Sequence, residues 1–129
     1  YVGNNDSHAK NLSIYEAPNK GLRLTPFYDL MCTRVYPGLA KHFALSIGGE
    51  TQPGKITQAH IVSMAGELGM RPKFLIDLAA DLATRLPKAL HNAIAAVHPS
   101  LPQRSRVLAG RLGQFVLSTT SKTAARIAG

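Results

Sequence analysis

The stretch Gly3-Asn4-Asn5-Asp6-Ser7-His8-Ala9-Lys10-Asn11, followed by Tyr28-Asp29-Leu30, decides how this chain reads. Asp6 and Asn11 stand five residues apart, and a second aspartate, Asp29, comes after a span with the marks of a β-hairpin. Leu12 and Ile14 alternate with Ser13 and Tyr15, Pro18-Asn19-Lys20-Gly21 supplies turn chemistry, and Leu22 and Leu24 alternate with Arg23 and Thr25. A strand pair joined by a tight turn folds back on itself. It is therefore expected to carry Asn11, at its entry, and Asp29, just past its exit, to the same end of the ladder. Asp6, Asn11 and Asp29 are then expected to converge on one metal-bound phosphate.

That arrangement matches the second half of a protein-kinase active site. In that template an aspartate accepts the acceptor hydroxyl's proton, an asparagine five residues on holds magnesium, and a later aspartate bridges the metal to the nucleotide phosphates. Asp6 takes the first role; Asn11 and Asp29 take the metal roles. Singly, each is an ordinary turn former that bonds its own backbone, and it is the joint spacing with the intervening hairpin that points to phosphoryl transfer. Lys10 is a candidate phosphate contact, carrying a cation where a γ-phosphate would sit, and it reads equally well as a solvated loop lysine. His8 reads as a scaffold of the loop.

The sequence resembles the HipA-like serine/threonine kinases, the toxins of HipBA-type toxin–antitoxin systems. The resemblance rests on Asn5-Asp6-Ser7-His8-Ala9-Lys10-Asn11-Leu12-Ser13, on Leu24-Thr25-Pro26-Phe27-Tyr28-Asp29-Leu30, and more loosely on Phe43-Ala44-Leu45-Ser46-Ile47-Gly48-Gly49. It implies an α+β, mostly helical C-terminal lobe of a protein-kinase-like fold, with a short β-hairpin beside the catalytic loop. Residues 1–50 would hold the catalytic loop, hairpin and metal-binding turn, and 56–129 a helical subdomain. The resemblance further implies ATP as substrate, Mg2+ as cofactor, Asp6 as catalytic base, and Asn11 and Asp29 as metal ligands. It also implies a HipB-like helix-turn-helix antitoxin as partner, DNA engaged only through that antitoxin, and a protein substrate such as an aminoacyl-tRNA synthetase, whose phosphorylation arrests growth.

A kinase also needs a glycine-rich loop and a strand lysine N-terminal to the catalytic loop, and no G-x-G-x-x-G pattern is present. The chain is therefore expected to be the C-terminal part of a longer kinase and inactive by itself. With 129 residues and 45% apolar content it has room for one domain that buries about two-thirds of its unfolded surface. Cys32, the single cysteine, excludes an internal disulfide, and no signal peptide or membrane-length apolar run is present, so a cytoplasmic protein without membrane contact is expected.

A net charge of +8 raises a competing class, a non-enzymatic basic helical domain that binds protein or nucleic acid. The densest basic group, Arg104, Arg106 and Arg111 with Lys88 and Arg85 upstream, lacks interleaved aromatic residues and any helix-turn-helix or zinc spacing, and reads as a solvated helix face. Ser13, Ser46, Ser63 and Ser105 lack a nucleophile elbow, and His42, His60 and His91 lack zinc spacing.

Beyond residue 56 the periodicity is helical. Thr57 caps a short helix with the stripe Ile61, Met64, Ala65 and Leu68, and Gly69 stops it. A long helix is expected from Pro72, with Phe74, Leu78, Leu82, Leu86, Leu90 and Ile94 as a core stripe widened by Leu75 and Ala79, and a kink or two abutting helices at Pro87. A last helix is expected from about Pro102 through Val116, fading at Ser118-Thr119-Thr120-Ser121-Lys122-Thr123 into a frayed end.

Overall fold

The structure, a computed structural model, describes residues 1–129. Residues 1–57 are loop-rich around one hairpin, and the remainder is dominated by three helices. The fold is α+β and mostly helical.

The hairpin pairs β1 (Ile14–Ala17) with β2 (Gly21–Leu24) in an antiparallel ladder whose register sets Ile14 against Leu24 and Ala17 against Gly21. The turn forms where the sequence supplies left-handed backbone: Asn19 has φ 61°, and the Lys20 amide donates to the Ala17 carbonyl at 3.0 Å. The strands lie two residues later on the first arm than the alternation predicts. Leu12 falls outside the ladder because residues 9–11 coil into a 3₁₀ turn and the Leu12 amide closes it onto the Ala9 carbonyl. Ile14, Leu22 and Leu24 are all exposed, so the alternation does not mark a buried face.

Helix α1 (Gln58–Glu67) begins at Thr57, whose Oγ1 lies 2.8 Å from His60 Nδ1, while the Thr57 amide donates to the same nitrogen at 3.1 Å. His60 thus completes a capping arrangement of the kind usually made by Glu or Gln at that position. The helix ends in a Schellman motif, with Gly69 (φ 64°) donating to Gly66 and Met70 to Ala65.

Helix α2 (Pro72–Val97) runs unbroken through Pro87. Pro87 removes one donor, but the flanking alanines and leucines are strong helix formers, and Leu86 and Leu90 are partly buried, so packing against the last helix holds the segment helical. The expected core stripe holds at Leu75, Ala79, Leu86, Leu90 and Ile94 and is corrected at Phe74, Leu78 and Leu82. A step of four residues turns about 400°, so a strict four-residue repeat drifts about 40° per step and cannot stay on one face over five steps. Phe74, Leu78 and Leu82 are exposed, and the partly buried face is Leu75, Ala79, Ala83, Leu86, Leu90 and Ile94.

Helix α3 (Gln103–Ala128) does not fade. Val116, Thr120, Thr123 and Ile127 are its buried residues, spaced three or four apart, and Ile127 joins Ile56 and Ile61 in the central cluster. Phe43, Ile47, Met64, Leu75, Ile76 and Ala79 pack around that cluster. The guanidinium of Arg126 reinforces this end, donating to the carbonyls of Ile56 (3.1 Å) and Pro53 (3.4 Å) and to Thr123 Oγ1 (2.8 Å). No helix is long and apolar enough to cross a membrane.

Candidate active site

The N-terminal loop is tied down residue by residue. Asp6 sits in a turn: its carbonyl accepts the His8 amide at 3.0 Å and the Asn11 Nδ2 at 3.3 Å, while its carboxylate is exposed and makes neither hydrogen bond nor ion pair. The chain then closes the 3₁₀ turn Ala9–Asn11, with the Asn11 amide donating to the His8 carbonyl at 3.0 Å. Asn11 is the hub of this loop, because the same Nδ2 also lies 3.4 Å from Asp29 Oδ2, 18 residues away across the hairpin.

Asp29 adopts φ 55°, a left-handed backbone rare for a residue with a Cβ. Its surroundings hold it there. On one side Tyr28 Oη donates to the Lys10 carbonyl at 2.9 Å and lies 2.9 Å from Ser13 Oγ; on the other, Asn4 Nδ2 donates to the Asp29 carbonyl at 3.4 Å.

Of the residues singled out in the sequence, Asn11 and Asp29 meet side chain to side chain. Asp6 joins them through its backbone, and its side chain lines a separate small cleft of about 220 Å³ with Asn5, Thr33, Leu39 and Ala40. The Lys10 ammonium has no partner and stands in solvent. His8 caps the 3₁₀ turn by its backbone, and its Nδ1 is enclosed without a partner.

The composition gave no sign of two further residues. Asn5 is 3% exposed and Thr33 is 8% exposed. The Asn5 amide donates to Thr33 Oγ1 (3.0 Å), its Nδ2 donates to the Ala40 carbonyl (3.0 Å), and its carbonyl accepts from Ala44 (2.8 Å). The Thr33 hydroxyl donates in turn to the Gly3 carbonyl at 3.1 Å. A polar pair flanked by turn formers reads as loop in sequence; only its burial distinguishes it. Gly3 itself is obligatory, since φ is 74° and a Cβ there would stand 2.6 Å from the Phe115 ring, over which the Arg34 guanidinium lies at 5.9 Å from the centroid.

Asn11 and Asp29 offer hard oxygen donors of the kind magnesium takes, once the Asn11 amide turns its Oδ1 toward the carboxylate. No group of three or more His, Cys, Asp or Glu gathers in the structure, so a cation here would complete its shell with phosphate and water. Cys32, three residues after Asp29, is half-buried, and that burial pushes its thiol above the ordinary value. A larger cavity of about 410 Å³ lies between the helices and the N-terminal segment, lined mainly by apolar residues including Phe43, Leu75 and Phe115 and also by Tyr1, Gly3 and Arg34; none of Asp6, Asn11 and Asp29 lines it.

Three of the basic residues singled out in the sequence have partners within the chain. Arg106 bonds the Leu101 and Pro99 carbonyls, Arg111 bonds the Val35 carbonyl, and Arg85 pairs with Asp81.

Comparison with known proteins bears on the loop and the fold together. A family described as the HipA-like C-terminal domain matches residues 1–90. The chain belongs to that family. It is 31% identical over 98 residues to the serine/threonine-protein kinase toxin HipA of Shewanella oneidensis, an alignment covering 76% of this chain and 22% of the relative. It is 32% identical over 93 residues to the putative kinase Y4mE of Sinorhizobium fredii, covering 66% of this chain and 22% of that one. Among solved structures it is similar to the Shewanella oneidensis HipA, HipB and operator DNA complex, with a TM-score of 0.76 at 25% identity over 96% of this chain and 30% of that one. This HipA-like domain thus spans about a fifth of the length of the curated relatives it matches.

Proposed function

We propose that this HipA-like domain is the acceptor- and metal-binding half of an ATP- and magnesium-dependent serine/threonine protein kinase of a toxin–antitoxin system. The observation that carries the reading is the approach of Asn11 Nδ2 to Asp29 Oδ2 at 3.4 Å across the hairpin, in a loop that fixes Asp6 by its backbone.

In this reading Asp6 accepts the proton of a serine or threonine hydroxyl as that oxygen bonds the γ-phosphorus and the bond to the ADP oxygen breaks. Its exposed carboxylate, free of partners, is open to an incoming side chain. Asn11 and Asp29 would hold magnesium, which when bound offsets charge on the phosphates. Lys10 stands free to contact the γ-phosphate, and His8 shapes the turn that carries Lys10 and Asn11. The glycine-rich loop and the strand lysine that complete a kinase would come from the remainder of the protein, so this chain alone transfers no phosphate.

By extension from the relatives, the partner is a HipB-like antitoxin that in turn holds operator DNA, and the acceptor is a component of translation such as an aminoacyl-tRNA synthetase. The test is γ-phosphate transfer by the full-length protein to cell lysate with magnesium present, comparing the wild type with Asp6→Asn and Asp29→Asn. Labelling by the wild type and loss of at least about 100-fold in either variant is expected for a general base and a metal ligand. Equal labelling by all three forms, or none by any folded form, overturns the reading.

A further inference from the structure

Three groups outside the named residues stand out. The exposed apolar side of the hairpin and the helical cavity have nothing to indicate what covers them; the buried pair Asn5 and Thr33 is bonded directly to the site.

From its hydrogen bonds we infer that Thr33 is a positioning residue that sets Asp6 relative to Asp29; the inference rests on the kinase reading above. Thr33 follows Asp29 by four residues, and its hydroxyl is shared between Gly3 and Asn5, in the segment that leads into Asp6: it accepts from the Asn5 amide at 3.0 Å and donates to the Gly3 carbonyl at 3.1 Å. The Arg34 amide donates to the same Gly3 carbonyl at 3.4 Å. One link runs alongside, from Asn4 Nδ2 to the Asp29 carbonyl at 3.4 Å. The loop holding the proton acceptor and the segment holding the metal carboxylate are thus laced together at consecutive residues, and Thr33 Oγ1 is the one side-chain atom that bonds two of them.

Burial gives this lacing its rigidity. Thr33 and Asn5 are shut away from water, so no solvent replaces a lost bond. Asn5 Oδ1 is enclosed without a partner, a cost an apolar residue at this position would avoid, yet the amide is retained and bonds Ala40 through Nδ2. The Asn5 side chain thereby fixes the far wall of the cleft that Asp6 lines. Phosphoryl transfer is sensitive to placement of about 1 Å, so removing this lacing is expected to slow the chemical step without weakening ground-state binding.

The experiment compares Thr33→Val, Thr33→Ser and Asn4→Ala with the wild type in the full-length protein, measuring kcat, KM for ATP and for the acceptor protein, the magnesium concentration for half-maximal rate, and the melting temperature. Valine keeps the shape and removes the hydroxyl. The expected result is a kcat at least tenfold lower in Thr33→Val with both KM values and the magnesium requirement within about twofold, and near wild-type kinetics in Thr33→Ser. Asn4→Ala, which cuts the half-exposed link, is expected to lower kcat several-fold with an unchanged melting temperature, and serves as the deciding variant if Thr33→Val does not fold. Wild-type kcat in a folded Thr33→Val, or in Asn4→Ala where Thr33→Val does not fold, overturns the inference while leaving the kinase reading intact. An equal loss in Thr33→Val and Thr33→Ser that follows their melting temperatures also overturns it. No transfer by the wild type overturns the kinase reading, and the inference with it.

Discussion

Tyr28 and Lys10 are joined across the hairpin: the Tyr28 hydroxyl donates to the Lys10 carbonyl at 2.9 Å, and the same oxygen lies 2.9 Å from Ser13 Oγ. The bond ties the residue before Asp29 to the residue before Asn11, so it sets the separation of the two proposed metal ligands although Tyr28 itself is exposed. Tyr28→Phe keeps the ring and removes the tie. A typical intramolecular hydrogen bond contributes a net of about 0.5–1.5 kcal/mol, so global stability should fall by no more than about 1.5 kcal/mol. Amide hydrogen exchange at Asn11 and Leu12 should accelerate, and phosphate transfer by the full-length protein should fall several-fold. Unchanged exchange at these amides would show that the tie does not hold the loop.

Magnesium without nucleotide should bind weakly. Asn11 and Asp29 supply an amide and a carboxylate, and no third His, Cys, Asp or Glu joins them, while the ion favours six oxygens in near-octahedral array. Isothermal titration of magnesium into the protein should give a dissociation constant well above the micromolar range, falling when an ATP analogue is added. Micromolar binding to the metal alone would contradict the proposed ligand set.

Gly48 has φ 54°, and a Cβ built there would run into the backbone carbonyl of His60, inside the capped first turn of α1. Backbone cannot yield as a side chain can. Gly48→Ala should therefore cost about 2 kcal/mol or more, the sum of left-handed strain and a steric clash, readable as a lowered urea midpoint. At Gly49 (φ 85°) the same Cβ meets nothing within 4 Å, so Gly49→Ala should cost less, from strain alone. Equal costs at the two positions would mean that the close approach of the loop to α1 is not a constraint.

What the sequence disclosed and what it hid divide along physical lines. The pairing of Asn11 with Asp29 was legible because a hairpin has one geometry, and turn residues at 18–21 announce it. The ends of α1 were legible from Thr57 and Gly69 for the same reason: capping is local chemistry. The buried pair Asn5 and Thr33 was not, since nothing in a polar loop residue records which distant carbonyl it will meet. The facing of α2 was legible only in part: Leu75, Ala79, Leu86, Leu90 and Ile94 share the partly buried face, whereas the four-residue step winds around the helix and leaves Phe74 at 53% exposed.

Cys32 offers a probe of the segment between Asp29 and Thr33. Burial disfavours its thiolate and raises its titration above the ordinary value, against weaker opposition from the Val35 and Arg34 amides and the Arg34 charge. Because the folded state holds the thiol proton more tightly than the unfolded chain, this residue's contribution to stability is present below the ordinary thiol value and is lost as pH rises through the raised one. Alkylation by iodoacetamide at pH 8 should be slower in the folded protein than in urea, and Thr33→Val should accelerate it. A folded rate equal to the unfolded one would place Cys32 in water.

The C-terminal end of α3 is the sharpest test of the fold, because composition and packing point in opposite directions there. Ser118 to Lys122 is polar, which favours fraying, yet Thr120, Thr123 and Ile127 lie on one buried face, and Arg126 caps the Ile56 and Pro53 carbonyls. A threonine presents a methyl as well as a hydroxyl, and three residues at three- and four-residue spacing are enough to make a seam. Ile127 is 6% exposed against Ile56 and Ile61, so Ile127→Ala should cost about 2–5 kcal/mol, the range for opening a cavity in a packed core. Arg126→Met, which keeps the stem and strips the donors, should cost about 1–3 kcal/mol by orphaning part-buried carbonyls. Both are read from the urea midpoint of the full-length protein, and a frayed end would instead leave the Ile127→Ala midpoint within about 0.5 kcal/mol of wild type.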